Sequence, residues 1–245
     1  MSVIKNIVPP PKNIGIPKIL HQIWIGTRPV PYVWTDTWKE FCKKYGWKHM
    51  LWTNKEVAEF KLKNQASFDK SVSYQKKSDI LRYEIMYKYG GMYLDADMIW
   101  LGKDLGKYMP FTTSNFIGVQ EPFSEMYSVL GRPYLANGFF CCSKNHVIMK
   151  KCIRFLPARD KKYNKTFIST GPGLLNSAVQ DYPITLLPEN WVFPVSFKNL
   201  STGDYNLYMK KSLIFTKSGY ELPEKIDFKK LPEIVKLYFY RIAFM

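Results

Sequence analysis

The chain has 245 residues, with 36 Lys and Arg against 20 Asp and Glu and a formal net charge of +16. A hydrophobic fraction of 46% excludes a disordered chain, and the length suits one domain with decorations. No apolar run approaches the ~18 residues of a membrane span, and residues 1–13 lack the apolar stretch of a signal peptide.

Four cysteines, Cys42, Cys141, Cys142 and Cys152, fit no zinc spacing. They are expected to be buried, reduced thiols, which points to a reducing compartment and a cytoplasmic location. The basic residues are scattered, with no block of five like charges. Positive charge of this kind suits nucleic acid and phosphorylated small molecules alike.

Residues 1–15 are Pro-rich and read as an extended arm. Lys18 to Ile25 reads as a buried strand. Tyr32 to Tyr45 carries Trp34, Trp38, Phe41, Cys42 and Tyr45 on one helical stripe, closed by Gly46. Trp47 to Trp52 alternates like a strand, and Asn54 is placed to cap a short helix reaching Leu62. Tyr74 to Tyr89 is the clearest helix, with Leu81, Ile85 and Tyr89 at i, i+4 and i+8 and Gly90-Gly91 ending it. Met92 to Leu94 is then a short strand that delivers Asp95-Ala96-Asp97.

This alternation argues for an α/β fold with a mostly parallel central sheet flanked by helices. Ligands in such folds gather at the carboxyl ends of strands, where Asp95 and Asp97 stand. Further strands are expected at Phe116–Gln120, Asn137–Cys142, Ile184–Leu187 and Leu213–Phe215, and helices over His146–Phe155 and Gly171–Val179. Pro232 to Met245 has a helical pattern that is apolar nearly all round and must bury itself. Its partner is the domain itself, a second copy, or an anionic membrane surface met by Lys229, Lys230, Lys236 and Arg241.

Asp95 and Asp97, two apart in extended chain, share a face. Two such carboxylates can hold a hard divalent cation together with substrate phosphates. About 0.4 pairs of this spacing are expected by chance in such a chain, so the weight rests on the strand that delivers them. Asp79 and Arg82 lie i, i+3 on the preceding helix. Such a pair is either a surface ion pair or a carboxylate and guanidinium that hold sugar hydroxyls.

The segment from Ser78 to Asp97, SDILRYEIMYKYGGMYLDAD, resembles the signature of the DXD sugar-binding glycosyltransferases of family 32. It is also similar to the glucosyltransferase domain of large clostridial toxins. Ile16 to Gly26, Leu51 to Asn54, Asn137-Gly-Phe-Phe, His146, Thr170-Gly-Pro-Gly and Leu187-Pro fall in the family's order. The resemblance implies a GT-A glycosyltransferase fold over residues 16–220; the apolar helical pattern beyond it makes residues 221–245 a tail packed on the domain or associating with a surface. It implies a retaining transferase using a nucleotide-sugar donor, UDP-sugars favoured, with Mn²⁺ or Mg²⁺. The acceptor would be a glycan, a lipid-linked group or another hydroxyl compound.

By the same resemblance, Asp97 and Asp95 serve the metal and catalysis. Asp79, Arg82 and Asp95 hold the donor sugar, and Trp24, Ile25 and Tyr83 the nucleotide. Asn137, Lys217 and Ser218 are candidates for phosphate or acceptor contacts. Many relatives end in a His-rich segment followed by Gly-Ser-Trp; here Phe215 to Tyr220, FTKSGY, stands in its place without His.

Two other readings compete. A non-catalytic polyanion or nucleic-acid binder rests on the charge and a 16% aromatic content, although no nucleic-acid partner is expected if the resemblance holds. A metal-dependent hydrolase wants a further base near the acidic pair, and His21, His49 and His146 have no ligand spacing to it.

Overall fold

The computed structural model describes residues 15–121, 134–180 and 182–193, and the backbone of residues 214 and 215. The arm, Lys217, Ser218 and the C-terminal tail lie outside the described residues. A six-stranded sheet runs in the order β2-β1-β3-β6-β5-β7. Its strands are β1 (Ile19–Ile23), β2 (Lys48–Trp52), β3 (Gly91–Leu94), β5 (Phe116–Gln120), β6 (Leu135–Cys142) and β7 (Thr185–Leu187). A separate pair joins β4 (Ile99–Trp100) to β8 (Ile214–Phe215).

β1 lies parallel to β2 and to β3, and β5 parallel to β7, whereas β6 runs antiparallel to both β3 and β5. The sheet is therefore mostly parallel, as expected, with β6 alone reversed. The mixed sheet lies between helical layers, the arrangement that a GT-A fold leads one to expect.

Strand residues alternate between the two sheet faces, and the core divides accordingly. Met92, Leu94, Ile117, Phe139 and Cys141 pack with Trp38, Phe41 and Cys42 of α1 (Tyr32–Tyr45). Tyr93, Phe116, Phe140 and Cys142 point the other way. They meet α4 (Tyr74–Tyr89), α5 (Val147–Lys162) and α7 (Pro172–Val179). Phe116 and Phe140 stack with ring centroids 5.9 Å apart at 10°. All four cysteines are buried free thiols. Burial holds their protons, pushing Cys42 up to about 12 and the other three higher still.

α1 and α4 have the bounds that the sequence predicts. α2 (Asn54–Ala58) is shorter than expected and is capped by Thr53, not Asn54. Asn54 instead clamps the loop after β1: its Nδ2 donates to Gly26 O at 2.8 Å, and its Oδ1 accepts from Gly26 N at 2.9 Å. α3 (Gln65–Lys70) and α6 (Thr166–Ser169) were not anticipated. α5 runs past Phe155 through Pro157 to Lys162.

Gly91 shows why the α4–β3 junction has no side chain. Its φ is +107°, and a Cβ there would stand 2.3 Å from Ile19 O of the neighbouring strand. Only glycine permits this backbone approach, and it sets the register that carries β3 to Asp95.

Candidate active site

β1 and β3 are parallel neighbours, so their carboxyl ends lie side by side. Trp24 and Ile25 follow β1; Asp95, Ala96 and Asp97 follow β3. Both segments line a cleft of about 700 Å³. The remaining walls come from the loop after β1 (Thr27, Arg28), from Trp34 of α1, and from Tyr74, Gln75, Ser78 and Arg82 of α4. Sequence reasoning found Arg82 but missed Tyr74, Gln75 and Ser78. The signal was there: positions 75, 78 and 82 are spaced i, i+3, i+7 and so share one helix face.

Asp95 is held from three sides. Its Oδ1 accepts from Tyr93 Oη at 2.8 Å and lies 3.4 Å from Arg82 Nη1. Its backbone N donates to Gly138 O at 2.9 Å. Oδ2 lies against Gly138, where a Cβ would come within 2.7 Å of it. The carboxylate is still 39% exposed, against 6% for Arg82 and 4% for Asp79. The loop beyond Asp97 is pinned to α1, with Trp38 Nε1 donating to Met98 O at 2.8 Å and Trp100 N to Thr37 Oγ1 at 3.2 Å.

Arg82 lies across the ring of Tyr93, 4.7 Å from its centroid, and donates through Nη1 to Asn137 O at 2.6 Å. Burial opposes its charge, but Tyr93, Asp95 and Asp79 together outweigh burial and hold the proton firmly. Asp79 shows the converse. Burial raises its carboxyl to about 6 despite the opposing pull of Arg82, Thr170 and Asn137.

Apart from Lys217 and Ser218, which lie outside the described residues, each predicted site residue has a definite place. Trp24, Ile25, Arg82, Asp95 and Asp97 come together in the cleft wall. Asp79 does not line it and points into the protein, toward Asn137 and Thr170. Asn137 braces Asp79 and Arg82 instead of reaching the cleft. Tyr83, one turn-step round from Arg82, is fully buried against Phe140, and its hydroxyl donates to Thr170 O and Gly171 O.

Asp95 and Asp97 present hard oxygen donors in one open cleft, which suits Mg²⁺ or Mn²⁺ sharing its shell with water and phosphate. Among the described residues no cluster of three or more His, Cys, Asp or Glu competes with this pair as a metal site.

Residues 33–123 match the family described as the glycosyltransferase sugar-binding region containing a DXD motif. This part of the chain is a DXD glycosyltransferase region. Tyr93, Asp95, Asp97 and all of α4 fall inside it.

The chain is similar to the uncharacterized glycosyltransferase L373 of Acanthamoeba polyphaga mimivirus, 28% identical over 200 residues and covering 75% of each chain. It is 28% identical over 209 residues to inositol phosphoceramide mannosyltransferase 1 of Schizosaccharomyces pombe, covering 77% of this chain and 61% of that one. It is also 28% identical to the mannosyl phosphorylinositol ceramide synthase SUR1 of Saccharomyces cerevisiae, of which it spans 46%. Among solved structures, the PaToxG glycosyltransferase superposes with a TM-score of 0.51 at 18% identity, covering 80% of this chain and 77% of that one. The glycosyltransferase region thus carries its DXD pair at the cleft mouth of a GT-A fold.

Proposed function

We propose that the protein transfers a hexose from a nucleotide-sugar donor to a hydroxyl group of a glycan or inositol-phosphate lipid, with retention and with the help of a divalent cation. The observation that carries this reading is the single cleft in which Trp24 and Ile25 stand beside Arg82, Asp95 and Asp97. Each wall suits one part of such a donor. The aromatic and aliphatic pair after β1 offers a surface for a planar base. Arg82, with its fixed guanidinium fork, offers donors to sugar hydroxyls. Asp97 and Asp95 would hold Mg²⁺ or Mn²⁺ beside the diphosphate.

Such a cation supplies a Lewis acid for the charge that develops on the departing phosphate. The chain's own groups do the rest. Tyr93 and Arg82 keep Asp95 Oδ1 occupied, which leaves Oδ2 as the oxygen that would serve a cation or ligand. Arg28, exposed at the rim, adds positive charge where the nucleoside diphosphate leaves. A retaining transfer proceeds on one sugar face, the leaving phosphate oxygen accepting the acceptor's proton.

The lipid acceptor is suggested by the relatives' names, which describe transfer of mannose to inositol phosphoceramide. The chain's charge of +16 suits an anionic headgroup. Among the described residues no helix is long and apolar enough to cross a membrane.

The test is donor hydrolysis and transfer with UDP- and GDP-hexoses, with Mn²⁺ or chelator, and with or without an inositol-phosphate lipid. We expect turnover that needs the cation and speeds up with acceptor. Asp97→Asn, which removes charge at constant shape, should cost at least two orders of magnitude in rate, several kcal/mol. Undiminished turnover by Asp97→Asn in chelator would refute the metal-dependent reading.

A further inference from the structure

Asp79 is the most enclosed charge near the cleft, and its partners arrive from three directions. Oδ1 accepts from Asn137 Nδ2 of β6 at 2.9 Å and lies 3.2 Å from Arg82 Nη2 on its own helix. Oδ2 accepts from Thr170 Oγ1 at 2.9 Å, from the corner between α6 and α7. That corner is tied to α4 a second time through Tyr83 Oη, which reaches Thr170 O at 2.9 Å and Gly171 O at 3.0 Å. Thr170 is completely buried. Three of the roughly four acceptor sites of a carboxylate are used inside the protein, and the carboxylate does not line the cleft.

We propose that Asp79 is a positioning residue and not a sugar ligand, and that Thr170 fixes it so that Arg82 presents a single guanidinium edge to the cleft. This rests on the functional reading given above for the cleft.

A guanidinium has five donors in a rigid fork, so its direction is set once two edges are engaged. Asp79 takes one N–H of Nη2, Asn137 O and Asp95 take Nη1, and Nε donates to Ser78 O at 3.5 Å, which leaves the second Nη2 N–H for the cleft. Without the Thr170 hydroxyl, Asp79 Oδ2 becomes a buried charge short of a partner. The carboxylate then turns or takes up a proton, and Nη2 loses its anchor. Arg82 then keeps only its Nη1 and Nε partners, the Nη2 end is no longer held in one direction, and the donor-sugar edge is lost.

The experiment compares Thr170→Val, which keeps shape without the donor, Thr170→Ala, which relieves any crowding, and Thr170→Ser, which keeps the hydroxyl, all in the full chain. Turnover is measured with whichever UDP- or GDP-hexose the wild type hydrolyses, and affinity with the matching free nucleoside diphosphate and Mn²⁺. We expect Val and Ala to lower kcat about tenfold or more, the scale of one hydrogen bond to a charged group. Nucleoside-diphosphate affinity should stay unchanged, and Ser should restore kcat. Unchanged kcat in Val and Ala, or an equal loss of nucleoside-diphosphate affinity, overturns the proposal.

A second readout needs no turnover. The ¹³C-carboxyl titration of Asp79, with Arg82 and Asp95 still facing it, should show about tenfold tighter proton binding in Thr170→Val than in wild type or Thr170→Ser. An unchanged titration overturns the brace. A wild type that hydrolyses no nucleotide-sugar would overturn the functional reading while leaving this measurement to decide the brace.

Discussion

Trp24 stands half-exposed in the cleft wall with its indole N–H given to Arg28 O at 3.1 Å. That bond fixes the plane of the ring at the end of β1. A ring in this position contributes little to the core, so Trp24→Ala should fold with a nearly native melting midpoint. It should weaken nucleoside-diphosphate binding by about 1–3 kcal/mol, the scale of base–aromatic stacking. Calorimetric titration decides the matter, and unchanged affinity in the folded variant would remove Trp24 from the site. Residue types and spacing singled out Arg82, Asp95 and Asp97, because each lies on or just after a strongly patterned element, and the family resemblance added Trp24. The inward turn of Asp79 was not legible. Its partners Asn137 and Thr170 lie 58 and 91 positions away, and no local spacing reports them.

Among the elements, α1 has a task beyond covering one sheet face. Trp38 is buried in that layer and also donates to Met98 O, one residue past the DXD pair. Trp38→Phe keeps an aromatic ring but leaves a buried carbonyl unpaired, which should cost about 1–3 kcal/mol of stability. Freed from that anchor, the loop should hold Mn²⁺ less tightly in the presence of nucleoside diphosphate. Chemical denaturation and metal titration read the two effects separately, and native metal affinity would show that the loop is held by other means. α1 and α4 were legible to the residue from their stripes and their closing glycines. α3, with the polar sequence QASFDK and no side-chain cap, gives no periodic signal. The reversal of β6 was invisible for another reason: strand direction is set by pairing, and β6 pairs across Leu94↔Phe139 and Phe116↔Cys142.

The whole molecule should respond to acid through histidines that burial keeps neutral: His49 is lowered, and His21 and His146 more strongly. His21 is buried, donates from Nε2 to Gly90 O at 3.0 Å and accepts at Nδ1 from Trp52 Nε1 at 3.1 Å. His146 caps α5, its Nδ1 accepting from Ile148 N at 3.2 Å. Burial lowers both to about 4. Groups whose folded value is depressed below the unfolded ~6.5 give stability that is full above that pH and lost as pH falls toward 4. Asp79 and Glu121 act in the opposite sense, since burial raises them to about 6 and about 7. The net curve therefore blends opposing terms, and a difference between variants isolates one of them. His146→Asn keeps a helix cap without a titrating ring. It should be less stable than wild type at pH 7 through loss of the Phe116 ring contact. The gap should narrow by on the order of 2–3 kcal/mol by pH 4. Denaturant midpoints across that range are the measurement, and a constant gap would mean that His146 is not held neutral.

The cysteines turn the two-sided core into something that can be timed. Cys42 and Cys141 lie in the layer under α1, and Cys142 and Cys152 in the layer under α4, α5 and α7. With all four thiols buried and held protonated, an alkylating reagent finds them only when the structure opens. Pulsed alkylation with tandem mass spectrometry, whose fragment ions separate the adjacent Cys141 and Cys142, thus gives two clocks per layer from the unmodified chain. If the sheet opens as one unit, all four sites should gain label at a single rate. A faster pair on one side would name the helical layer that departs first.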